Sequence, residues 1–337
     1  MKRGFGSDNQ SGAHPDILGA ILSANEGHAE SYGADELTEK WNGVCKKLFG
    51  QGATSYFVFN GTAANVLGIG AFVQSQHAII ASDKSHLVND ECGAPEKLLG
   101  CKVISIPSHD AKLTPDVIKP FLIRRGDQHA SQPRVISITQ PTELGTVYSL
   151  REIAAIADLC REENLILHID GARLVNAIAA LGCTFADAVK GADVISLGGT
   201  KNGLLFGEAI VFLNQKANPD FRYFRKQAMQ LSSKSRFIAA QFLEFLGTDL
   251  WLGNALRSNR MASRLSSALA RCKGVEITQK TQANGVFVKI PREHVARLRE
   301  HSFFYVWDEH TFECRLMTSW DTTEADVDSF VAEVEKI

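Results

Sequence analysis

The sequence predicts an α/β protein built on a mostly parallel sheet, and two observations lead to that prediction. Residues 165–169 and 194–197 are short apolar runs rich in Ile, Leu and Val, which is typical of strands buried on both faces. The segment 171–192 between them is long enough for a crossover helix. With 337 residues, 45% hydrophobic and 22% charged, the chain can bury one large core and a smaller one.

The bulk composition excludes several classes of function. A net charge of −2 gives no electrostatic reason to expect nucleic acid or an anionic membrane as a partner. No apolar run reaches membrane-spanning length, and residues 1–9 have no apolar signal core. The seven cysteines are odd in number and form no C-x-x-C pair, so we expect reduced thiols, a cytoplasmic protein and no metal site.

The two predicted strands end in a charged pair. Asp170 follows the first and Lys201 follows the second, and the carboxyl ends of parallel strands meet at the edge where ligands bind. Alone, such an Asp is usually a helix cap and such a Lys a surface group. Together, with Arg173 close by, they suit pyridoxal phosphate (PLP), because a lysine forms a Schiff base with its aldehyde and a carboxylate keeps its ring nitrogen protonated.

The string H-I-D-G-A-R-L-V-N-A at 168–177, followed by S-L-G-G-T-K at 196–201, resembles the threonine aldolases, a family of PLP enzymes with the aspartate-aminotransferase fold. The resemblance runs over nearly the whole chain. It implies fold type I: a mostly parallel seven-stranded sheet and a smaller α+β C-terminal domain. It also implies an N-terminal arm over the active site at 1–15, a PLP-binding domain at 16–249 and a small domain at 250–337. Arg173 would contact the ring oxygen of the cofactor.

The first 50 residues contain two predicted contacts, Ser7 and Tyr32. Ser7 lies in a Ser-Asp motif that holds the substrate carboxylate in the family. A helix at 16–23 precedes the loop that contains Tyr32, and a second helix runs from Asp35 to Leu48. The resemblance places Tyr32 near the cofactor or the neighbouring subunit, although packing on its own domain is equally compatible with its residue type.

Three consecutive residues are predicted to hold the cofactor phosphate. A strand at 56–59 turns through Asn60 into a helix at 63–72, and the N–H groups at such a helix start bind anions. The predicted phosphate cup is Gly61, Thr62 and Ala63. After a strand at 77–82, His86 and Glu91 match a His and a Glu of the family, where the His stacks on the PLP ring.

The next segment departs from the family. A strand at 102–107, a helix at 114–124 and a strand at 135–139 lead to Gln140-Pro141-Thr142-Glu143, where the family commonly has E-N-T-H. A carboxylate at Glu143 is a different base from imidazole. His86, Glu143 and a water remain open as the base, and the departure suggests a bulky substrate such as phenylserine.

The rest of the chain contains two further sets of predicted contact residues, one for the cofactor phosphate and one for the substrate carboxylate. A helix at 150–164, an antiparallel strand at 208–213 and a helical region at 219–270 are predicted. The resemblance gives Lys234 and Arg236 a role at the phosphate across a subunit boundary, which implies a homodimer or homotetramer. Strands at 275–278, 286–290 and 303–307 and helices at 292–301 and 323–337 follow. Arg315, in an alternating strand, suits a substrate carboxylate.

These residues predict a PLP-dependent aldolase that cleaves L-threonine, L-allo-threonine or a related L-3-hydroxy-amino acid to glycine and an aldehyde. The predicted catalytic residues are Lys201, His86 and Glu143. A β-eliminating lyase or an aminotransferase on the same fold is the alternative, because the same cofactor linkage can break a different bond. A non-enzymatic scaffold is disfavoured by Asp170 and Lys201.

Overall fold

The computed structural model describes residues 3–337, and its main element is a seven-stranded sheet. In chain order the strands are β1 (Thr54–Val58), β2 (His77–Ser82), β3 (Lys102–Ile106), β4 (Gln132–Thr139), β5 (Ile166–Gly171), β6 (Val194–Leu197) and β7 (Glu208–Phe212). Their order across the sheet is β1-β7-β6-β5-β4-β2-β3. Strands β2 to β6 run parallel, and β7 is antiparallel to both β6 and β1. The predicted fold class is confirmed.

Helices cover both faces of this sheet. They are α1 (Pro15–Ser23), α2 (Glu36–Phe49), α3 (Gly61–Gly70), α4 (His86–Asn89), α5 (Ala94–Leu99), α6 (Pro115–Ile118), α7 (Leu150–Glu162), α8 (Leu174–Leu181), α9 (Phe185–Ala188), α10 (Phe221–Gln227) and α11 (Arg236–Gly247). Successive strand residues point to opposite faces. Leu167 and Ile195 therefore pack with α2, α7 and α11, whereas Ile166 and Val194 pack with α3.

A second sheet forms the C-terminal part. It contains β8 (Glu276–Ile277), β9 (Gly285–Lys289), β10 (Tyr305–Asp308) and β11 (Glu313–Met317), in the antiparallel order β10-β11-β9-β8. Helices α12 (Leu250–Leu269), α13 (Arg292–His301) and α14 (Glu324–Val334) cover it. Because α12 packs on α8 as well as on α14, it joins the two parts, and the domain limits at 15 and 249 stay a prediction.

Two predicted helices differ from the structure. The helix expected at 114–124 is the short α6 followed by a 3-10 turn, Lys119–Leu122, since Pro120 has no N–H to continue an α-helix. The crossover at 171–192 holds two helices, because Gly182 adopts φ 63° and ends α8.

The cysteines form no disulfide among the described residues, and Cys92 is the exposed one. Within residues 3–337, none of the helices combines the length and the apolar character that a bilayer span requires.

Candidate active site

A cleft of about 440 Å³ opens at the carboxyl ends of β4, β5 and β6. Side chains from the whole length of the chain line it. Among the residues predicted from sequence, those at the cleft are Ser7, Gly61, Thr62, His86, Glu143, Asp170, Arg173, Lys201 and Arg315.

The two strand ends bring Asp170 and Lys201 to this cleft. Asp170 is 6% exposed and accepts hydrogen bonds from Asn65 Nδ2 at 2.9 Å and from the backbone N–H of Ala172 at 3.0 Å. Lys201 lies in the short 3-10 turn Thr200–Asn202 that follows β6. A Cβ on Gly198 would come within 2.3 Å of the Ala172 carbonyl oxygen, so the turn that presents Lys201 requires glycine there.

Burial changes the acid–base properties of Lys201. Desolvation, reinforced by the nearby Arg173, lowers the pKa of its ammonium group, although Asp8, Asp170 and Glu208 act in the opposite direction. A lowered pKa increases the fraction of free amine, which is the form that reacts with an aldehyde.

Glu208, at the start of β7, was not singled out from the sequence. It accepts a hydrogen bond from the backbone N–H of Gly199 at 2.7 Å, and burial raises its pKa to about 7. It thus supports the turn that carries Lys201.

Arg173 pairs with the N-terminal arm. Its Nε and Nη2 donate to the two carboxylate oxygens of Asp8 at 2.6 and 2.8 Å, and Asn284 Nδ2 donates to the same carboxylate at 3.0 Å. Burial opposes ionisation of Asp8, but Arg173 outweighs it and lowers the pKa of that carboxyl. Arg173 therefore anchors the arm, and its predicted contact with the ring oxygen of the cofactor stays a prediction.

Ser7 is brought to the cleft by this pair. Its Oγ accepts from the Asn9 backbone N–H at 3.2 Å and caps the 3-10 turn that contains Asp8. Ser7 therefore lies next to the anchored residue, at the rim of the cleft.

The start of α3 forms the predicted phosphate cup. Asn60 Oδ1 accepts a hydrogen bond from the Ala63 N–H at 2.9 Å. The N–H groups of Gly61 and Thr62 lie in the same first turn, where backbone N–H groups have no acceptor within the helix. A Cβ on Gly61 would meet nothing within 4 Å. Gly61 and Thr62 are therefore better placed for an anion than Ala63, which does not line the cleft.

His86 and Glu143 also line the cleft and contact each other. The His86 backbone N–H donates to Glu143 Oε1 at 2.8 Å, and Thr139 Oγ1 donates to the same oxygen at 3.1 Å. Burial and the nearby Asp170 raise the pKa of Glu143 to about 7. One carboxylate oxygen is thus fixed by the protein, while the residue itself faces the cleft. Gln140, by contrast, points away and ties its loop to both backbone groups of Tyr148.

Arg315 has an incomplete set of partners. Its guanidinium packs 4.2 Å from the Trp307 ring centroid, and its one hydrogen bond is a long contact of 3.5 Å to the Gly6 carbonyl oxygen. Its buried Nε has no acceptor among residues 3–337, and burial lowers its pKa to about 10. A buried, underpaired guanidinium suits a carboxylate ligand.

Three predicted residues lie away from the cleft of their own chain. Tyr32 lines a neighbouring groove beside Arg225 and Lys226. Arg236 donates to the Gly27 carbonyl oxygen at 3.2 Å, and Lys234 is exposed. A role at the cofactor would require these residues to reach the cleft of a second chain, and that stays a prediction.

The residues present fit PLP. Lys201 supplies an amine of lowered pKa, Asp170 a buried carboxylate, and α3 an open helix start. The cleft also contains the underpaired Arg315, which is available for a second anionic group. This set matches an aldehyde, a ring nitrogen, a phosphate and a substrate carboxylate, respectively.

Comparisons with known proteins agree with this geometry. A family model described as beta-eliminating lyase matches residues 4–291. Low-specificity L-threonine aldolases from a Pseudomonas species and from Pseudomonas aeruginosa are 43% and 42% identical, covering 99% and 94% of this chain and 97% and 93% of those proteins. The solved threonine aldolase of Leishmania major has a TM-score of 0.94 at 30% identity, with 99% of each chain covered. The chain therefore belongs to the beta-eliminating lyase family and, within it, to the threonine aldolases.

Proposed function

We propose that this protein is a PLP-dependent aldolase that cleaves L-threonine, L-allo-threonine or a related L-3-hydroxy-amino acid, such as phenylserine, to glycine and an aldehyde. The observation that carries the proposal is the meeting of Lys201, Asp170 and the underpaired Arg315 in one cleft. The names of the 42–43% identical relatives support the same reaction.

The cofactor would be held at three points. Lys201 would bind its aldehyde carbon, Asp170 its ring nitrogen, and the N–H groups of Gly61 and Thr62 its phosphate. When bound, PLP supplies an electron sink for a bond that breaks at Cα of an amino acid. His86 would stack on the ring and exclude water from it.

The substrate would be oriented by its carboxylate. Arg315 is partly buried, so its pairing with a carboxylate is charge-assisted and geometrically defined. Ser7, at the rim, would contribute a hydroxyl contact. Fixing the carboxylate sets the direction of the Cα–Cβ bond, which decides the bond that breaks.

Glu143 is the residue best placed to accept the proton of the substrate hydroxyl. One of its oxygens is held by His86 N–H and Thr139, and a pKa of about 7 makes it an effective base near neutral pH. Glu91 raises the pKa of His86, so the imidazole carries a proton over more of this range and is the weaker acceptor.

The test is product release from the purified protein with PLP, offered L-threonine, L-allo-threonine and L-phenylserine. We expect glycine and aldehyde in equal amounts, and a loss of at least about a thousandfold in Lys201→Ala. Lys190→Ala, at an exposed position, is the matched control and should keep wild-type activity. Ammonia with an equal amount of 2-oxo acid (2-oxobutyrate from the threonines, phenylpyruvate from phenylserine) and no glycine would instead identify a β-eliminating lyase. A 2-oxo acid that forms without ammonia, and only when an amino-group acceptor is present, would identify an aminotransferase.

The proposal includes the cellular compartment and the oligomeric state of the enzyme. We infer a cytoplasmic homodimer or homotetramer whose active sites lie at the subunit interface. Free cysteines support a reducing compartment. Lys234 and Arg236 do not line their own cleft, so the phosphate role that the family resemblance gives them would be performed in the cleft of a second chain.

A further inference from the structure

A chain of side-chain hydrogen bonds runs along the cleft and includes Glu91, a buried residue with no role so far. His86 Nδ1 is 2.8 Å from Glu91 Oε1. Asn65 Nδ2 donates to Glu91 Oε1 at 3.0 Å and to Asp170 Oδ2 at 2.9 Å. The chain therefore connects the predicted stacking residue to the predicted partner of the ring nitrogen.

Glu91 is costly to bury in this position. Its side chain is 0% exposed, and its Oε2 has no hydrogen-bond partner within residues 3–337. A buried carboxylate persists only if a cation or several donors compensate it. The cationic group that contacts Glu91 in the described structure is His86.

We propose that Glu91 is a positioning residue for the aldolase reaction. Its carboxylate, which is held by Asn65, accepts a hydrogen bond from Nδ1–H of His86 and so fixes the orientation of that ring. Nε2 of His86 is then the nitrogen that faces the cleft. The proposal deepens the proposed function and rests on it for its catalytic meaning. Its structural content can be measured separately.

The protonation state of His86 follows from the partners that face it. An ionised carboxylate only accepts hydrogen bonds, so Nδ1 must carry a hydrogen in both the neutral and the charged ring. The hydrogen bond to Glu91, and the charges of Glu91 and Asp170, raise the pKa of His86, while burial and Lys201 oppose them. Glu143 accepts a hydrogen bond from the backbone N–H of His86 and not from its ring.

A functional consequence follows for proton transfer. Because Nδ1 keeps its hydrogen, every proton that His86 gains or loses must pass through Nε2. His86 would then act in the cleft as a donor, which complements Glu143 as an acceptor.

The first experiment needs no altered residue at Glu91. Imidazole ¹⁵N chemical shifts of the full-length protein, with and without PLP, report which ring nitrogen loses its hydrogen. The chain has 10 histidines, and the signal absent from His86→Gln identifies His86. We expect Nε2 to titrate and Nδ1 to stay protonated. Titration at Nδ1 would overturn the proposal.

The second experiment compares Glu91→Gln with Glu96→Gln. Glu96 lies on the exposed side of α5, so Glu96→Gln makes the same chemical change outside the hydrogen-bonded chain of His86, Glu91, Asn65 and Asp170. Glutamine still accepts a hydrogen bond from Nδ1 but carries no charge. We therefore expect Glu91→Gln to keep the tautomer and lower the pKa of His86, and Glu96→Gln to change neither.

An unchanged pKa of His86 in a folded Glu91→Gln would contradict the proposal. The outcome is distinguishable from a failure of the proposed function, because the tautomer and pKa are read without any substrate. If the protein forms no glycine but His86 has the expected tautomer, only the assignment of the reaction fails.

Discussion

At the scale of single residues, Glu143 shows how position changes the chemistry of a carboxyl group. An exposed glutamate is ionised far below neutral pH. Here burial and Asp170 raise its pKa to about 7, while the His86 backbone holds one oxygen in place. The group therefore titrates within the range in which an enzyme works.

This predicts the pH dependence of the reaction. A base must be deprotonated to act, and the raised pKa means that Glu143 is protonated at acidic pH. We expect kcat/KM to rise with pH through about 7 and Glu143→Gln to lower kcat by about 10²–10⁴-fold and abolish that rise. Glu163→Gln, at a surface ion pair with Arg125, is the control. A wild-type pH profile in Glu143→Gln would exclude the residue as the base.

A cleft position is easier to predict for residues that directly follow a strand than for residues that are distant in sequence and come together only in the folded protein. Asp170 and Lys201 could be identified because each follows an apolar run in sequence. The partner of Arg173 could not, since Asp8 is 165 positions away. Ser7 was identified through the Ser-Asp motif, and the same motif contained the signal for Asp8.

At the scale of elements, the N-terminal arm is attached to both sheets of the molecule. The Asp8–Arg173 pair holds it at the cleft, and Phe5 is buried in the C-terminal core against Phe330. Backbone bonds from Phe5 N–H to the Phe303 carbonyl oxygen and from Met317 N–H to the Phe5 carbonyl oxygen extend the attachment. The arm therefore connects the main sheet to the C-terminal sheet.

Breaking the pair should release the arm. Asp8→Asn leaves Arg173 buried without its counter-charge, which typically costs about 3–5 kcal/mol. We expect a lower melting temperature and faster proteolysis near the N-terminus. Asp328→Asn, which breaks an exposed Asp–Arg pair with Arg264, should change stability little. Equal effects of the two substitutions would show that the Asp8–Arg173 pair is not needed to hold the arm.

The same pair makes the stability of the protein depend on pH in the acidic range. Because the folded-state pKa of Asp8 is lowered, its contribution is complete above the unfolded pKa and disappears as the pH falls through the folded value. The difference in unfolding free energy between wild type and Asp8→Asn should therefore shrink as the solution becomes acidic.

Regular elements could be predicted where the pattern was local. The strand at 77–82 and the helix at 292–301 have the predicted limits. The sequence predicts the region 219–270 only as helical, whereas the structure divides it into the three helices α10, α11 and α12. The stretch 228–235 between the first two contains three serines, which favour turns over helix interiors.

At the scale of the whole molecule, several large apolar side chains are exposed at or next to the cleft. Phe59 and Phe206 stack with their centroids 6.5 Å apart and are 40% and 36% exposed, and Met229 is 82% exposed. Exposed apolar groups beside an active site are typical of a surface that another chain covers. This supports the predicted shared site.

Subunit mixing tests that prediction. If Lys234 of one chain serves the cleft of another, Lys201→Ala and Lys234→Ala are each impaired, but a mixed dimer contains one site with both residues intact. After exchange of equal amounts, we expect activity to recover to about one quarter of the wild-type value. Lys216→Ala mixed with Lys201→Ala gives the reference for simple dilution. No recovery beyond the sum of the separate variants would show that each cleft is complete within one chain.

The cleft is where the arm, the main sheet and the C-terminal sheet meet: Ser7, Lys201 and Arg315 come from the three of them. A small molecule that binds only when all three are assembled must stabilise the whole fold, by an amount that grows with its free concentration relative to its dissociation constant. In the proposed complex Lys201 would hold the cofactor, whereas Ser7 and Arg315 would hold the substrate carboxylate. Cofactor and substrate together would therefore protect the assembled molecule from unfolding, and from proteolysis in the cell, more than the cofactor alone.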